Sequence, residues 1–381
     1  MISRRAKEIE PSATLKVSDM IKEMRRKGKT VISLSVGEPD FDTPKIIKKS
    51  AIKALKDGKT NYTPGTGFSS LRKAIEDKLR NENGIKSGKE DIVVTPGGKF
   101  SIFLTCQTVL QEGDKAGIFD PSWVSYVPNV KLAGGEPVWL KTDKSFKPDL
   151  VDLKNKADDL KMIILNSPNN PTGKVYPEEL VRKILHICQE NNILVLSDEV
   201  YEKLIYDAEH YSPASDFSNV ITVNSCSKPY AMTGWRIGYF TGPTKIVNAA
   251  KKIQSHSVSC ATSFAQKGAE TALTSPKVEE KVSEMRERFR GRRDLVIRKF
   301  DEIEGVRCQK PEGAFYCFAK FDLDLSSLEF CQKLLKERGV GVTPGSAFGP
   351  NRENYFRLSF ANSKEKIKSG IEKIGSFVEE F

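Results

Sequence analysis

The chain has few of the residues that metal centres and disulfide frameworks require. Its 381 residues include three isolated histidines, and seven cysteines that are widely scattered without a Cys-x-x-Cys pair. An odd number of dispersed cysteines argues against a disulfide framework or a zinc site and fits reduced thiols. The scarcity of histidine argues against histidine-based metal chemistry. We therefore expect a cytoplasmic protein without a metal site.

Long apolar runs and concentrated basic stretches are missing too. No segment approaches the roughly 20 apolar residues of a membrane span, and no apolar stretch follows Arg4 and Arg5 as it would in a secretory signal. The net charge is +11, but the lysines are spread beside glutamates, and no basic run is interleaved with aromatic residues. These patterns predict neither a membrane nor a nucleic-acid partner. The positive field would favour anionic substrates.

The length and the alternation of elements predict two domains. A chain of 381 residues is longer than a single hydrophobic core usually accommodates. Apolar strands that alternate with helices indicate a largely parallel sheet covered on both faces. We predict a large α/β domain over residues 45–285, built on a mainly parallel sheet of seven-stranded type. The predicted strands are 92–94, 116–119, 138–140, 162–165, 194–196 and 220–223.

The regular alternation of strands and helices ends after a long charged helix predicted at 277–302. Strands at 314–321, 340–342 and 355–360, with helices at 327–337 and after Ser363, are typical of an α+β unit. We predict a small domain formed by residues 1–44 and 286–381. The N-terminal segment, with a helix at 15–29 and a strand at 31–36, would pack against the C-terminal part.

Two loops at predicted strand ends have the composition of ligand-binding turns. In an open α/β sheet, ligands bind beyond the carboxyl ends of the strands. Thr95-Pro96-Gly97-Gly98-Lys99 joins a strand to a helix, where backbone N–H groups favour an anion. It has neither a Walker A pattern nor Gly-x-Gly-x-x-Gly, so a nucleotide is not indicated, and a plain tight turn is the alternative. The run Asn166 to Gly173 is either a turn or a rigid loop that presents Asn170.

Two further strand ends carry a carboxylate and an amine. Asp198 follows an apolar strand, and a carboxylate at that position needs a positive or protonated partner. Lys228 follows another strand, and a buried lysine commonly forms a Schiff base, although most lysines are on the surface. The set as a whole suits pyridoxal phosphate, which needs an amine, a phosphate cradle and a carboxylate for its ring nitrogen. The candidates are Lys228, Asp198 and the phenol of Tyr201, with a cradle of Gly97, Gly98, Ser225, Ser227 and Arg236.

The chain resembles the class I (fold type I) pyridoxal-phosphate aminotransferases, and within them the bacterial aspartate aminotransferase subgroup. The resemblance covers almost the whole chain in one collinear series of motifs. They are Pro11-Ser12-Ala13-Thr14, Gly37 to Pro44, Tyr62-Thr63, Trp123-Val124-Ser125-Tyr126, Asn166 to Gly173, Ser197-Asp198-Glu199-x-Tyr201, Ser227-Lys228 to Gly238, and Gly313-Ala314-Phe315-Tyr316.

The resemblance implies a role for each candidate residue. Lys228 would carry the cofactor as a Schiff base and shuttle the proton between Cα and C4′, and Asp198 would pair with the pyridine nitrogen. Asn170 and Tyr201 would bond the ring hydroxyl, and Trp123 would stack on the ring. The substrate would be bound by Arg357, through its α-carboxylate, together with Gly37, Trp123 and Asn170. The phosphate would be held by Ser225, Ser227, Arg236 and the backbone of Gly97, Gly98 and Lys99, and by Tyr62 of the other subunit of a homodimer.

The implied activity is transfer of the amino group of L-aspartate to 2-oxoglutarate by a ping-pong mechanism. The departures from the subgroup lie where the substrate is chosen, because Gly97-Gly98-Lys99-Phe100 replaces the more frequent Gly-Ala-Lys-Gln. Phe100 and Gln107 would lie on the helix that lines the side-chain pocket, and Lys99 and Thr14 are candidates for binding the distal carboxylate. The alternatives are a prephenate, aromatic or alanine-type aminotransferase, a carbon–sulfur lyase, and a cofactor-binding regulator without catalysis.

Overall fold

The computed structural model describes residues 1–9 and 13–380, so Pro11, Ser12 and the Thr14 side chain lie outside the described part. The strands are β1 Ile32–Ser33, β2 Ile92–Thr95, β3 Lys115–Phe119, β4 Glu136–Leu140, β5 Leu160–Asn166, β6 Leu194–Asp198, β7 Val220–Ser225, β8 Gly238–Thr241, β9 Val306–Cys308, β10 Tyr316–Phe321, β11 Val340–Gly341, β12 Thr343–Pro344 and β13 Tyr355–Ser359. The helices are α1 Arg4–Glu8, α2 Ala13–Arg26, α3 Lys45–Lys56, α4 Ser69–Asn83, α5 Gly98–Val109, α6 Tyr126–Leu132, α7 Leu150–Lys156, α8 Glu178–Glu190, α9 Thr244–Ser257, α10 Ser263–Thr274, α11 Pro276–Phe300, α12 Ser327–Arg338 and α13 Lys364–Val378.

A seven-stranded sheet in the order β2-β8-β7-β6-β5-β3-β4 forms the centre of the molecule. Its strands run parallel except β8, which is antiparallel to both neighbours. Helices cover both faces: Ile164 of β5 packs in one cluster with α5 and α9, while Ile163 packs on the opposite face with α7 and α8. Both faces of β7 are therefore buried, as its continuous apolar run predicts. The predicted α/β fold is confirmed.

A smaller antiparallel sheet, in the order β12-β13-β10-β9, lies in the C-terminal part. The N-terminal segment joins this part, because β1 pairs in parallel with β11 and Ile21 of α2 packs against Leu335 of α12. Helix α11 crosses the predicted boundary at residue 285: its Val282 packs with the large unit and its Phe289 with the small one. We propose the division into 45–285 and 1–44 with 286–381 on these contacts, with α11 shared between the units.

Three local expectations differ from the structure. The strand predicted at 31–36 is limited to Ile32–Ser33, since the chain leaves the ladder towards the turn at Gly37. The strand predicted at 340–342 ends at Gly341, and a separate strand, β12, begins at Thr343. The chain pairs with β1 before Val342 and with β13 after it. The short antiparallel strand β8 was not predicted. No helix in the described residues is long and apolar enough to cross a membrane.

Candidate active site

A cavity of about 360 Å³ opens at the carboxyl ends of β5, β6 and β7, between the two sheets. The strand ends and the start of α5 supply one side of the cavity, and β10, β13 and the turn at Gly37 supply the other. It thereby collects side chains that are far apart in the sequence. The predicted residues that line it are Gly37, Gly98, Lys99, Trp123, Asn170, Asp198, Tyr201, Ser225, Ser227, Lys228, Arg236 and Arg357.

Lys228 directs its amine into this cavity. Nζ donates a hydrogen bond of 2.7 Å to the carbonyl oxygen of Gly37. Desolvation, reinforced by the positive charges of Arg357 and Arg236, lowers the pKa of the amine to about 8, against the opposing effects of Glu38 and Asp198. A larger fraction of this amine is therefore unprotonated near neutral pH than of an ordinary lysine. The structure therefore provides a nucleophilic amine near neutral pH.

Asp198 ends β6 as a buried carboxylate, with 2% of its surface exposed. Burial raises its pKa to about 6, although the phenol of Tyr126 donates a 2.6 Å hydrogen bond to Oδ2 and opposes that rise. The neighbouring carboxylate of Glu199 points elsewhere, towards Ser197, Ser212 and His210. Among the described residues no cationic side chain is hydrogen-bonded to Asp198. A protonated ring nitrogen would supply the charge that this carboxylate needs.

An anion cradle lies where α5 begins. The N–H groups of Gly98 and Lys99 have no hydrogen-bond partner among the described residues and are available to a ligand, whereas Gly97 N–H donates to the carbonyl oxygen of Thr95 over 2.7 Å. Ser225 Oγ donates to Ser227 Oγ over 2.9 Å beside them. Gly97 has a φ of +90°, and a Cβ there would collide with the guanidinium of Arg236. Donors from two backbone positions, two hydroxyls and an arginine fit a phosphate group.

Arg357 projects from β13 on the opposite side of the cavity and is 3% exposed. Nη1 donates to Asn170 Oδ1 over 3.0 Å, and Nη2 donates to the carbonyl oxygen of Ser35 over 2.8 Å. Nε is buried and has no hydrogen-bond partner among the described residues. The guanidinium packs against two aromatic rings, 4.4 Å from the Tyr316 centroid and 4.9 Å from that of Phe348. A rigidly held fork with an unpaired donor suits a carboxylate.

Comparison with known proteins identifies the family. The sequence profile of the family described as aminotransferase class I and II matches residues 29–374. The chain is also 43% identical to the probable aspartate/prephenate aminotransferase of Aquifex aeolicus, over 100% of this chain and 99% of that protein. The chain belongs to the class I and II aminotransferase family.

Solved structures agree with this assignment. The fold of this aminotransferase matches the aspartate aminotransferase of Thermus thermophilus with maleate, with a TM-score of 0.95, 36% identity and coverage of 100% of both chains. It matches the aromatic aminotransferase of Pyrococcus horikoshii with a TM-score of 0.90 and 40% identity, over 94% of this chain and 99% of that chain. The resemblance inferred from the motifs is confirmed.

Family membership implies pyridoxal phosphate, and the residues of this aminotransferase fit that group. The cavity offers an amine at Lys228, a buried carboxylate at Asp198 with no cationic hydrogen-bond partner among the described residues, and a phosphate cradle formed by the start of α5, Ser225, Ser227 and Arg236. These are three chemically different groups, and they match the aldehyde, the ring nitrogen and the phosphate of the cofactor.

Some predicted residues lie apart from the cavity. Tyr62 is on the loop after α3, is 88% exposed and does not reach the cavity of its own chain. Phe100 and Gln107 were expected on the helix that lines the pocket; α5 does line it, but through Gly98, Lys99 and Ile102. Phe100 instead packs on Phe103, with ring centroids 5.7 Å apart. These two positions therefore do not contact the substrate space directly.

Several lining residues were not assigned a role from the sequence. They include Tyr126, which bonds Asp198, and Tyr316, whose hydroxyl lies 3.0 Å from that of Tyr201. Asn166 also contributes, because its Nδ2 donates to the carbonyl oxygen of Asp198 over 2.9 Å. Both tyrosines belong to motifs that support the family resemblance. Their occurrence in these motifs could have marked them as candidate site residues, but the motifs do not indicate which side chains face the cavity.

Proposed function

We propose that this aminotransferase uses pyridoxal phosphate to transfer the amino group of L-aspartate to 2-oxoglutarate in a ping-pong reaction. The observation that carries the proposal is the convergence of Lys228, Asp198 and Arg357 on one cavity that also contains an anion cradle. An amine, a carboxylate and an arginine fork arranged around one space suit a bound cofactor and an amino acid together. The names of the Aquifex and Thermus relatives support aspartate as the substrate.

We assign the residues as follows. When bound, the cofactor supplies an aldehyde carbon and a ring that draws electrons from the substrate Cα. Lys228 would hold it covalently and, once released, would move the proton between Cα and C4′, and Asp198 would keep the ring nitrogen protonated. Asn170 and Tyr201 would bond the ring hydroxyl, and Trp123 would stack on the ring. Arg357 and the Gly37 backbone would orient the α-carboxylate end of the substrate, and the phosphate would be held by Gly97, Gly98, Lys99, Ser225, Ser227 and Arg236.

We also propose that two subunits form a homodimer with shared active sites in the cytoplasm. Tyr62 is 88% exposed on a loop that is fastened to the end of α9, where Gln254 Nε2 donates to the carbonyl oxygen of Gly65 over 2.6 Å. A large exposed aromatic residue on an anchored loop suits contact with a second subunit. The seven cysteines are free thiols, which suits a reducing compartment.

The proposal is tested by mixing the wild-type holoenzyme with L-aspartate alone. We expect the absorbance of the bound cofactor to change and one equivalent of oxaloacetate to be released per active site, because the first half of a ping-pong reaction needs no second substrate. Addition of 2-oxoglutarate should restore the original spectrum. Release of ammonia and pyruvate would instead identify a lyase. An unchanged spectrum would contradict aspartate as the donor.

The choice between dicarboxylic and aromatic substrates depends on Lys99. Its Nζ lies 4.9 Å from the Trp123 ring centroid at the edge of the cavity, and burial and Arg236 lower its pKa. A cation there suits a second carboxylate, whereas Trp123 suits an aromatic side chain. The aromatic aminotransferase of Pyrococcus horikoshii makes aromatic donors the second candidate.

Replacement of Lys99 by alanine should raise KM for aspartate and 2-oxoglutarate by about 5- to 30-fold, the loss of roughly 1–2 kcal/mol from a partly solvated ion pair. KM for phenylalanine should change less than about twofold. Steady-state rates over a panel of donors would measure both. Lys161→Ala is the matched control, because Lys161 pairs with Asp114 outside the cavity. Equal losses for aspartate and phenylalanine would exclude Lys99 as the dicarboxylate anchor.

A further inference from the structure

Tyr316 connects three parts of the active site that come from different regions of the chain. It begins β10 and is 1% exposed. Its hydroxyl lies 3.0 Å from the hydroxyl of Tyr201, and its ring faces the guanidinium of Arg357 at 4.4 Å. A Cβ on Gly37 would lie 2.7 Å from the same hydroxyl, so the phenol packs directly on the Gly37 backbone.

The two phenols share one hydrogen bond but carry two protons. Burial raises the pKa of both Tyr201 and Tyr316, so both are neutral at physiological pH. Among the described residues, neither hydroxyl has another hydrogen-bond partner. The charged groups that face the pair are Arg357 and Asp198. One hydroxyl must therefore donate to the other, and one proton is left to donate elsewhere.

We propose that Tyr316 is a positioning residue that donates to Tyr201 and so directs the Tyr201 proton towards the ring oxygen of the cofactor. The inference rests on the proposed function, because that ring oxygen is the acceptor. If the Tyr201 hydroxyl donates its hydrogen bond into the cavity, the Tyr201 oxygen can accept a hydrogen bond from the hydroxyl of Tyr316. Donors in such a chain polarise one another, which makes Tyr201 a stronger donor than an isolated phenol.

The ring of Tyr316 has a second positioning role. Together with Phe348, it packs against the guanidinium of Arg357, whose Nη1 and Nη2 donate to Asn170 and Ser35. A guanidinium over an aromatic face is favourable by about 0.5–2 kcal/mol. The hydroxyl thus acts towards the cofactor and the ring acts towards the carboxylate of the substrate, and substitutions can separate these two effects.

Tyr316→Phe removes the hydroxyl and keeps the ring. If the hydrogen bond from Tyr201 is weaker, the ring oxygen of the cofactor carries more negative charge. It would then hold the proton that it shares with the Lys228 nitrogen more tightly. The pH midpoint of the cofactor absorbance should therefore rise by about 0.1 to 0.7 units, which corresponds to 10–30% of a charge-assisted hydrogen bond. Binding of maleate, followed by the same absorbance, should change less than about twofold. Tyr316→Leu should show the midpoint shift and also weaken maleate binding by about 3- to 30-fold.

Tyr206→Phe is the matched control, because the Tyr206 hydroxyl is also buried but donates to the carbonyl oxygen of Ala314 outside the cavity. Its absorbance midpoint should equal that of the wild type. An unshifted midpoint in Tyr316→Phe, or an equal shift in Tyr206→Phe, overturns the inference. If the wild type releases oxaloacetate from aspartate while Tyr316→Phe is unshifted, only this inference fails. If the wild type neither binds the cofactor nor responds to aspartate, the proposed function fails as well.

Discussion

Replacement of Lys228 by alanine is expected to lower transamination by about 10⁴-fold or more while the protein stays folded. A positioned general acid–base contributes about 10²- to 10⁴-fold, and this lysine also carries the cofactor. The stability cost is small, since within the described part of the chain the amine is hydrogen-bonded only to Gly37, and its desolvation is already unfavourable. We expect a loss of about 1 kcal/mol or less in the free energy of unfolding.

Three measurements check this expectation. Single-turnover rates with aspartate would give the loss, denaturant unfolding would give the stability, and dialysis would show whether the cofactor is now bound only non-covalently. The anion cradle and the residues assigned to the cofactor ring, Trp123 and Asp198, remain in the variant, so the cofactor should bind reversibly. A small primary amine such as ethylamine can enter the vacated space, and it should restore part of the rate in proportion to its concentration. Turnover at the wild-type rate would rule out Lys228 as the proton carrier.

The strand ends were the predictable part of the site. Lys228, Asp198 and Asn170 follow apolar strands, and parallel strands deliver their carboxyl ends to one edge of a sheet. The sequence pattern therefore indicated their proximity, and the structure brings them to one cavity. Their individual chemical roles remain predictions, because they depend on the bound cofactor.

Contacts between the two sheets were not predictable in the same way. Tyr316 and Arg357 lie on antiparallel strands β10 and β13, and the register Phe318↔Arg357 sets which side chains face the cavity. A shift of one residue would reverse every side chain on a strand, and the sequence pattern does not encode that register when both faces are apolar. Strand β8 was overlooked for a related reason: Gly238-Tyr239-Phe240-Thr241 is short and fully buried, without alternation.

Replacement of Arg357 by glutamine is the substitution with the next largest expected effect. Loss of one partner of a buried, hydrogen-bonded ion pair costs about 2–5 kcal/mol, so kcat/KM for aspartate should fall by about 30- to 5,000-fold. Arg357→Lys retains the charge but loses the planar fork, and it should recover only part of the loss. Both variants should still bind the cofactor, because Lys228, Asp198 and the anion cradle are intact.

Arg357 also supports the fold, and this contribution must be separated from binding of the carboxylate. Its removal leaves Asn170 Oδ1 and the Ser35 carbonyl without their donor, which should lower the free energy of unfolding by about 1–3 kcal/mol. Arg293→Gln is the matched control: Arg293 is 1% exposed and stacks 4.8 Å from the Tyr206 centroid, but it lies outside the cavity. This variant should be destabilised with kcat/KM within about twofold of the wild type. Equal kinetic losses in both arginine variants would mean that Arg357 supports the fold and does not bind the carboxylate.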